Sequence, residues 1–160
     1  MAVHISDTAP ALIALNAKVV TDSRTIDAEN FFEVKYPGNT VLEKDEIIKE
    51  IHIPEPPRDA KSAFIKFAFR KAIDFPIVNC AVMVGGDKPR ICLNAVAPTP
   101  YRATNAETVV AGKSIKRISE RDAAAAGEAA VAKAMSFPKA AQFKKQVAKT
   151  LVKRAILSLT

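Results

Sequence analysis

Apolar residues in the first part of the chain recur at helical spacing. Leu12, Ile13 and Leu15 give "TAPALIALNA" an apolar face, and either Ser6 or Asp7 can cap its first turn. We therefore predict a helix near the start of the chain. The following "KVVTDS" predicts a short strand, and "TIDAENFF" predicts one turn of helix.

A further strand and a hinge come next. The segment "DEIIKEIHIP" alternates between apolar and polar residues, with Ile47, Ile51 and Ile53 on one face, and predicts a strand that ends at Pro54. Three prolines fall within four residues from this point. Because proline fixes φ and lacks a backbone donor, we predict a hinge over residues 54–60.

Alternation resumes after the hinge and then gives way to helical spacing. The Gly-rich "GGDKP" predicts a hairpin turn between the last two of three strand-like runs, at residues 62–70, 77–84 and 89–97. Helical segments follow at residues 102–111, 119–135 and about 139–159. The last has an apolar stripe at i, i+4 spacing, formed by Phe143, Val147, Leu151, Ala155 and Leu159. These patterns predict an α+β fold, with a three-stranded antiparallel sheet packed on a three-helix bundle.

Charge narrows the classes of partner. The chain has 24 basic and 17 acidic residues, for a net charge of +7, which suggests an acidic partner or ligand. The basic residues are spread along the chain, Trp is absent and only two Tyr occur. A nucleic-acid-binding protein more often has a basic stripe interleaved with stacking aromatics, so we predict no nucleic-acid partner.

Cysteine spacing and hydropathy suggest neither a metal site nor a membrane segment. Cys80 and Cys92 lie in apolar runs and match no zinc spacing, so we predict two buried free thiols in a reducing compartment. No apolar stretch approaches the ~20 residues of a membrane span. The opening "MAVHISDTAP" lacks the features of a signal peptide, and we expect a cytoplasmic location.

Residue patterns alone identify no catalytic site. The only histidines are His4 and His52, and no nucleophile pairs with them by spacing. No GxGxxG or Walker-type loop occurs.

The segment "SAFIKFAFRKAIDFPIVN" (62–79) nevertheless concentrates charge between two strand-like runs. Lys66 and Arg70 could meet an anionic group, or they could lie on an outward-facing sheet surface. Asp7 could accept a hydrogen bond from a ligand, or it could cap a helix. On pattern alone the surface and cap interpretations are favoured.

Five motifs occur in an order that changes these odds: "HISDTAPALIALNAKVV", "DEIIKEIHIP", "KFAFRKAIDFPIVNCAV", "NAVAPTPYRATNAETVVAGKSI" and "LVKRAI". Together they resemble the FAD-binding (medium) subunit of the molybdenum hydroxylases, the group that includes xanthine dehydrogenase and carbon monoxide dehydrogenase. The resemblance covers essentially the whole chain. Residues 1–55 resemble the closing part of that subunit's α+β FAD-binding domain, and residues 56–160 resemble its C-terminal domain. Ile5 replaces the proline of the family's usual His-Pro-Ser-Asp pattern.

The resemblance implies roles for three residues. By it, Asp7 contacts the adenosine side of FAD, Ile48 packs near the flavin nucleotide, and Lys66 reaches the cofactor from the C-terminal domain. An ammonium on a rigid strand can offset the charge of a pyrophosphate or of a reduced flavin. Arg70 and Asp74 are expected to form an internal ion pair or a subunit contact.

The resemblance also implies partners. In the family, two Gly-rich loops that cradle the FAD pyrophosphate precede the Ser-Asp motif, and this chain begins a few residues before that motif. We therefore expect a split-gene product, a remnant or a fragment that does not retain FAD by itself. The implied partners are a polypeptide with the N-terminal FAD-binding half, an iron–sulfur subunit and a molybdopterin subunit.

Two functions remain open on this basis. The first is part of an electron-transfer subunit that passes electrons from iron–sulfur clusters through FAD to an acceptor, and that is inactive as an isolated chain. The alternative is a non-catalytic interaction domain that keeps the fold but binds no flavin alone.

Overall fold

The computed structural model describes residues 6–34, 40–85, 88–132 and 141–160. Within these ranges the helices are α1 (Thr8–Ala14), α2 (Thr104–Val110), α3 (Glu120–Ala132) and α4 (Ala141–Leu157). The strands are β1 (Lys18–Thr21), β2 (Thr25–Asp27), β3 (Ile48–His52), β4 (Lys61–Phe67), β5 (Val78–Val84), β6 (Arg90–Asn94) and β7 (Tyr101–Arg102). Outside the described residues lie His4, Ile5, the middle of the "GGDKP" turn and the predicted start of the last helix.

The strands form two antiparallel sheets, a small one ordered β2-β1-β3 and a large one ordered β4-β5-β6-β7. The predicted three-stranded sheet is confirmed as β4, β5 and β6, and the pairing of Met83 with Arg90 confirms the hairpin. The large sheet has a fourth strand, β7, that the sequence did not predict. A strand of two residues is too short to show alternation.

The large sheet is covered on both faces, which explains why β5 is buried at all seven positions. Val78, Cys80 and Val82 belong to the apolar core shared with α2, α3 and α4. The opposite face packs against α1, where Cys92 joins a smaller cluster with Ile13. The predicted α+β class is confirmed, although α1 adds a layer beyond the sheet and the three-helix bundle.

Helices α3 and α4 pack closely because the face of α3 toward α4 consists of small residues. Ala123, Ala126 and Ala130 are fully buried. A Cβ atom at Gly127 would lie 2.6 Å from the backbone oxygen of Lys149 on α4. The alanine run of the sequence therefore sets the distance between these helices.

The predicted apolar stripe of α4 is correct only in its second half. Leu151, Ala155 and Leu159 are buried, but Phe143 is 58% exposed and makes an edge contact with Phe67 of β4. The buried face also includes Ala148, Val152 and Ile156. Spacing of i, i+4 alone drifts around a helix of 3.6 residues per turn, and alternating i+3 and i+4 steps follow the core.

The segment before β3 matches its prediction only in part. Residues predicted as one helical turn form β2 and a short 3-10 helix, Ala28–Asn30, which places Phe31 in the interior. The predicted strand is confirmed as β3, and all five of its residues are exposed. No helix in the described ranges is both long and apolar enough to cross a membrane.

Candidate functional site

Three polar residues lie side by side across the large sheet. Lys66 of β4 is directly opposite Asn79 of β5, and Asn79 is directly opposite Asn94 of β6. Because residues paired across strands point to the same side, all three face α1 rather than the helical core. We call Lys66, Asn79 and Asn94 the polar row.

The Ser6–Asp7 segment lies over the polar row and satisfies much of it. The Asn79 side-chain Nδ2 donates to the backbone oxygen of Ser6 at 3.0 Å and to Asp7 Oδ1 at 2.9 Å. The Asn94 Nδ2 donates to the same Ser6 oxygen at 2.5 Å. Lys66 Nζ donates to Asp7 Oδ2 at 2.6 Å. The structure thus brings Asp7 and Lys66 together.

Asp7 can face the sheet because Ser6 caps the helix. The Ser6 Oγ accepts hydrogen bonds from the backbone N–H groups of Thr8 and Ala9, at 3.2 and 3.3 Å. Ser6 is therefore the capping residue of the two candidates, and the Asp7 carboxylate makes no cap hydrogen bond. The Asp7 carboxylate is held by Asn79 and Lys66 instead.

The charged corner after β4 supports Lys66 from the other side. Lys66 Nζ donates to the backbone oxygen of Asp74 at 2.6 Å. The Asp74 carboxylate accepts from the backbone N–H groups of Arg70 and Phe75, at 3.0 and 2.9 Å. The bond from the Arg70 N–H, more than the Arg70 guanidinium 3.5 Å away, holds the pKa of Asp74 below its ordinary value. The expected Arg70–Asp74 pair is present, with the Arg70 side chain 72% exposed.

Ile48 borders a neighbouring cavity. It is 41% exposed, and with Phe31, Phe32 and other apolar residues it lines a cavity of about 160 Å³. Ser6 and Thr8, on either side of Asp7, line the same cavity. Ile48 therefore lies next to the segment that carries Asp7.

Within the described residues, the Asp7–Lys66 pair has spare hydrogen-bonding capacity. An ammonium has three N–H donors, and Lys66 uses one on Asp7 and one on Asp74. A carboxylate has about four acceptor positions, of which Asp7 uses one for Asn79 and one for Lys66. The side chains are 24% and 44% exposed, respectively. The pair can therefore donate to one more acceptor and accept from hydroxyl groups of a ligand.

A second polar cluster joins the 3-10 helix after β2 and helix α2 to the large sheet. Glu29 accepts from Arg90 and Arg102, each at 2.8 Å, and Glu107 accepts both 2.9 Å bonds from Arg102 and a backbone bond from Ile91. Hydrogen bonds to Glu107 raise the pKa of Arg102 above its ordinary value. Burial lowers the pKa of Arg90, with a further contribution from the Arg102 charge.

Neither polar cluster contains a nucleophile or a metal site. No group of three or more His, Cys, Asp and Glu side chains that could hold a metal occurs in the described ranges. Cys80 and Cys92 are buried free thiols, as expected, and burial raises the pKa of both.

Sequence reasoning missed Asn79 and Asn94, although a signal existed. Each is the only amide in an otherwise apolar strand run, "VNCAVMV" and "ICLNAV". A buried amide needs hydrogen-bond partners, so such a residue indicates a polar contact inside the fold. Their partner, Ser6, is more than 70 residues distant in sequence, and only the fold brings it there.

Comparison with known proteins gives the family. Residues 63–159 match the CO dehydrogenase flavoprotein C-terminal domain, and residues 1–56 match the FAD binding domain in molybdopterin dehydrogenase. The chain belongs to the CO dehydrogenase flavoprotein C-terminal domain family. This confirms the resemblance expected from the five ordered motifs.

Individual relatives agree with this family. The carbon monoxide dehydrogenase medium chain of Hydrogenophaga pseudoflava is 32% identical over 163 residues, which cover 96% of this chain and 56% of the relative. The putative xanthine dehydrogenase FAD-binding subunit of Escherichia coli K12 is 38% identical over 77 residues, 44% of this chain and 26% of the relative.

Solved structures extend the agreement to the fold. A carbon monoxide dehydrogenase from H. pseudoflava superposes with a TM-score of 0.83 at 30% identity, covering 98% of this chain and 57% of the other. Quinoline 2-oxidoreductase from Pseudomonas putida 86 superposes with a TM-score of 0.80 at 25% identity, covering 99% of this chain and 57% of the other. The chain thus spans a little over half the length of these full-length relatives.

The residues of this flavoprotein-type chain fit part of an FAD molecule. The Asp7–Lys66 pair offers an acceptor for hydroxyl groups and a donor for phosphate or flavin oxygens. The cavity beside Ile48 is below the ~300 Å³ of an ordinary ligand pocket, so it suits one ring rather than a dinucleotide. FAD is the cofactor supported for the complete subunit of this family.

Proposed function

We propose that this chain is part of the FAD-binding electron-transfer subunit of a molybdenum-dependent hydroxylase or dehydrogenase. In such a complex, electrons pass from iron–sulfur clusters through the flavin to an acceptor. Bound FAD would supply the redox chemistry, since the described residues of this chain include no redox centre. The proposal includes a cytoplasmic location, and contacts with an iron–sulfur subunit and a molybdopterin subunit.

The Asp7–Lys66 pair carries this proposal. Its two charged groups lie 2.6 Å apart and are tied to a buried amide and to a folded corner, and contacts with the described residues leave donor and acceptor positions unused. A preorganised pair of this kind binds a polar ligand without further ordering of its side chains. Lys66 would donate to an acceptor of the cofactor, Asp7 would accept from a hydroxyl group, and Ile48 would provide an apolar wall.

The exposed edge strand of the small sheet supports a partner for residues 1–55. Ile47, Ile48, Ile51 and Ile53 are between 41% and 67% exposed, on and beside an edge strand. Exposed apolar residues in such a row mark an interface. The FAD-binding match ends at residue 56, and roughly two fifths of each relative's length lies outside the matched part. We propose that the remaining part of the FAD-binding domain covers this edge strand, with a domain division at residue 55.

Reconstitution with flavin tests the proposal. The 160 residues include five glycines and no Gly-rich phosphate loop, so the chain alone should purify colourless. Mixed with a polypeptide that carries the family's Gly-rich loops, it should form a yellow complex. Lys66→Ala should weaken FAD binding by about tenfold, the equivalent of one lost charge-assisted hydrogen bond. Lys44→Ala, at an exposed lysine of the segment before β3, is the matched control.

Other results would redirect the proposal. A complex that forms without taking up flavin would favour the non-catalytic interaction domain. Equal FAD affinity for Lys66→Ala and Lys44→Ala would remove Lys66 from the cofactor site. Ile51→Lys should prevent association while leaving the fold of the isolated chain unchanged, because Ile51 is 46% exposed.

A further inference from the structure

The side-chain oxygens of the two asparagines in the polar row accept no hydrogen bond from the described residues. Asn79 and Asn94 are both fully buried. Their Nδ2 groups donate to Ser6 and Asp7, but neither Oδ1 has a hydrogen-bond partner within the described part of the chain. Buried side-chain oxygens in folded proteins nearly always accept a hydrogen bond. Two unpaired oxygens in residues that face each other across neighbouring strands therefore need an explanation.

The two oxygens belong to one small region. Asn79 and Asn94 are directly opposite each other on β5 and β6, and such pairs have Cβ atoms about 4.5–5.5 Å apart. Both Nδ2 groups reach the same atom, the backbone oxygen of Ser6. Both amides therefore lie on the face of the large sheet that the Ser6–Asp7 segment covers.

The chemistry of this region selects the ligand. Two acceptors repel an anion, and the Lys66 ammonium next to Asn79 in the row opposes a metal cation. A neutral molecule with two O–H donors matches two acceptors. A water molecule has that number of donors and spans two acceptors about 2.8 Å from its oxygen.

We propose that Asn79 and Asn94 together bind one internal water molecule, which donates one hydrogen to each Oδ1. The water completes the anchor that holds Ser6 and Asp7 on the sheet. Its consequence for the cofactor rests on the proposed function, since a fixed Ser6–Asp7 segment fixes the Asp7 carboxylate. The site itself does not depend on that function.

Nuclear magnetic resonance of the 160-residue chain tests the site directly. Both Nδ2 groups should give cross-peaks to one long-lived water with the sign expected for a molecule that tumbles with the protein. In a high-resolution crystal structure, one water oxygen should lie within hydrogen-bond distance of both Oδ1 atoms. An N–H of the chain bonded to either oxygen, a separate water on each, or no ordered water would overturn the proposal.

A single substitution tests whether the water is shared. Asn94→Leu removes one acceptor at similar volume, so the long-lived water signal at Asn79 should be lost. Asn105→Leu, on the partly exposed surface of α2, should leave that signal unchanged. A signal at Asn79 that survives Asn94→Leu would overturn the shared site. The wild-type measurement needs no substitution, so it decides the question even if Asn94→Leu does not fold. Water at the site in a chain that fails to bind FAD after reconstitution would refute the proposed function alone.

Discussion

Glu107 is a buried carboxylate in α2, and it satisfies three donors at once. It accepts two hydrogen bonds from Arg102 and one from the backbone of Ile91. Its side chain is 9% exposed. Such a group stabilises the fold only while every partner remains, because each partner left unpaired in the interior costs free energy.

Glu107→Gln should therefore destabilise the chain by about 2 kcal/mol. The amide keeps the size of the carboxylate but can accept only one of the two Arg102 bonds. Urea unfolding followed by circular dichroism measures the effect. Glu128→Gln, at a side chain that is 67% exposed, is the control and should stay within about 0.5 kcal/mol of the wild type. Equal effects would mean that Glu107 is solvated.

The two cysteines should remain thiols, because they point to opposite faces of the large sheet. Cys80 belongs to the helical core and Cys92 to the cluster under α1. A disulfide needs Cβ atoms about 3.8 Å apart, which residues on opposite faces do not reach. Both thiols should react with a thiol reagent far more slowly in the native chain than after unfolding. An unreduced mass lower by two hydrogens would contradict this.

At the scale of elements, α4 closes the core by its second half. Leu151 is 4% exposed and Phe143 is 58% exposed on the same helix. Leu151→Asp should lower the free energy of unfolding by at least about 3 kcal/mol, because it buries an unpaired carboxylate. Phe143→Asp should cost less than about 1 kcal/mol. Thermal unfolding of both variants measures the difference, and similar losses would refute this placement of α4.

The turn between β1 and β2 is fixed by Glu46 and should make stability depend on pH. Arg24 makes two bonds of 2.7 and 2.8 Å to Glu46, and Glu43 N–H and Thr21 Oγ1 also donate to it. The Arg24 guanidinium first, and then these donors, hold the pKa of Glu46 well below its ordinary value. A lowered pKa stabilises the fold at pH values above the ordinary glutamate pKa of about 4.3, and the contribution is lost as pH falls toward the lowered pKa.

Glu46→Gln should therefore be less stable than the wild type near neutral pH, and the difference should shrink as pH falls below about 4. Urea unfolding at a series of pH values gives the difference curve. The other carboxylates are the same in both proteins and cancel. Glu55→Gln, in the exposed proline-rich segment, should give a flat curve. A pH-independent difference for Glu46→Gln would mean that its charge is not what stabilises the turn.

The sequence predicted the elements with strong periodicity and missed what depends on distant neighbours. Spacing located α3, α4 and the strands β4 to β6 to within a few residues. Strand β7 was missed because two residues show no period. The candidate site was predicted only as separate residues, Asp7, Ile48 and Lys66. Alternation could place Asn79 on one face of β5, but it could not show that Ser6 would lie opposite.

For the molecule as a whole, Glu29 connects the part that carries the small sheet to the large sheet. It lies in the 3-10 helix after β2 and accepts from Arg90 of β6 and Arg102 of β7. Together with the Asp7–Lys66 pair, it joins residues that belong to different family matches. We therefore expect the chain to unfold as one cooperative unit.

Glu29→Gln should accelerate hydrogen exchange of the backbone amides of Val19 in β1 and Val82 in β5 by the same factor. The factor is about tenfold if the free energy of unfolding falls by roughly 1.4 kcal/mol. Both amides exchange through the same unfolding event if the sheets are coupled. Glu120→Gln, at a side chain that is 75% exposed, is the control. Faster exchange at Val19 alone would show that the two sheets open separately.

The close approach of α3 and α4 also restricts how this protein can vary. Any side chain at Gly127 would place its first carbon 2.6 Å from the Lys149 carbonyl, and backbone atoms there cannot turn aside as a flexible side chain can. In a library of substitutions along α3, the tolerance of each position should therefore vary with the helical period of 3.6 residues. Positions 123, 126 and 130 should accept almost nothing larger than alanine, and position 127 only glycine, while the solvent side of the same helix should accept most residues. An alanine-rich composition suggests a segment that tolerates substitution. This alanine-rich run should instead be among the least replaceable segments of the chain.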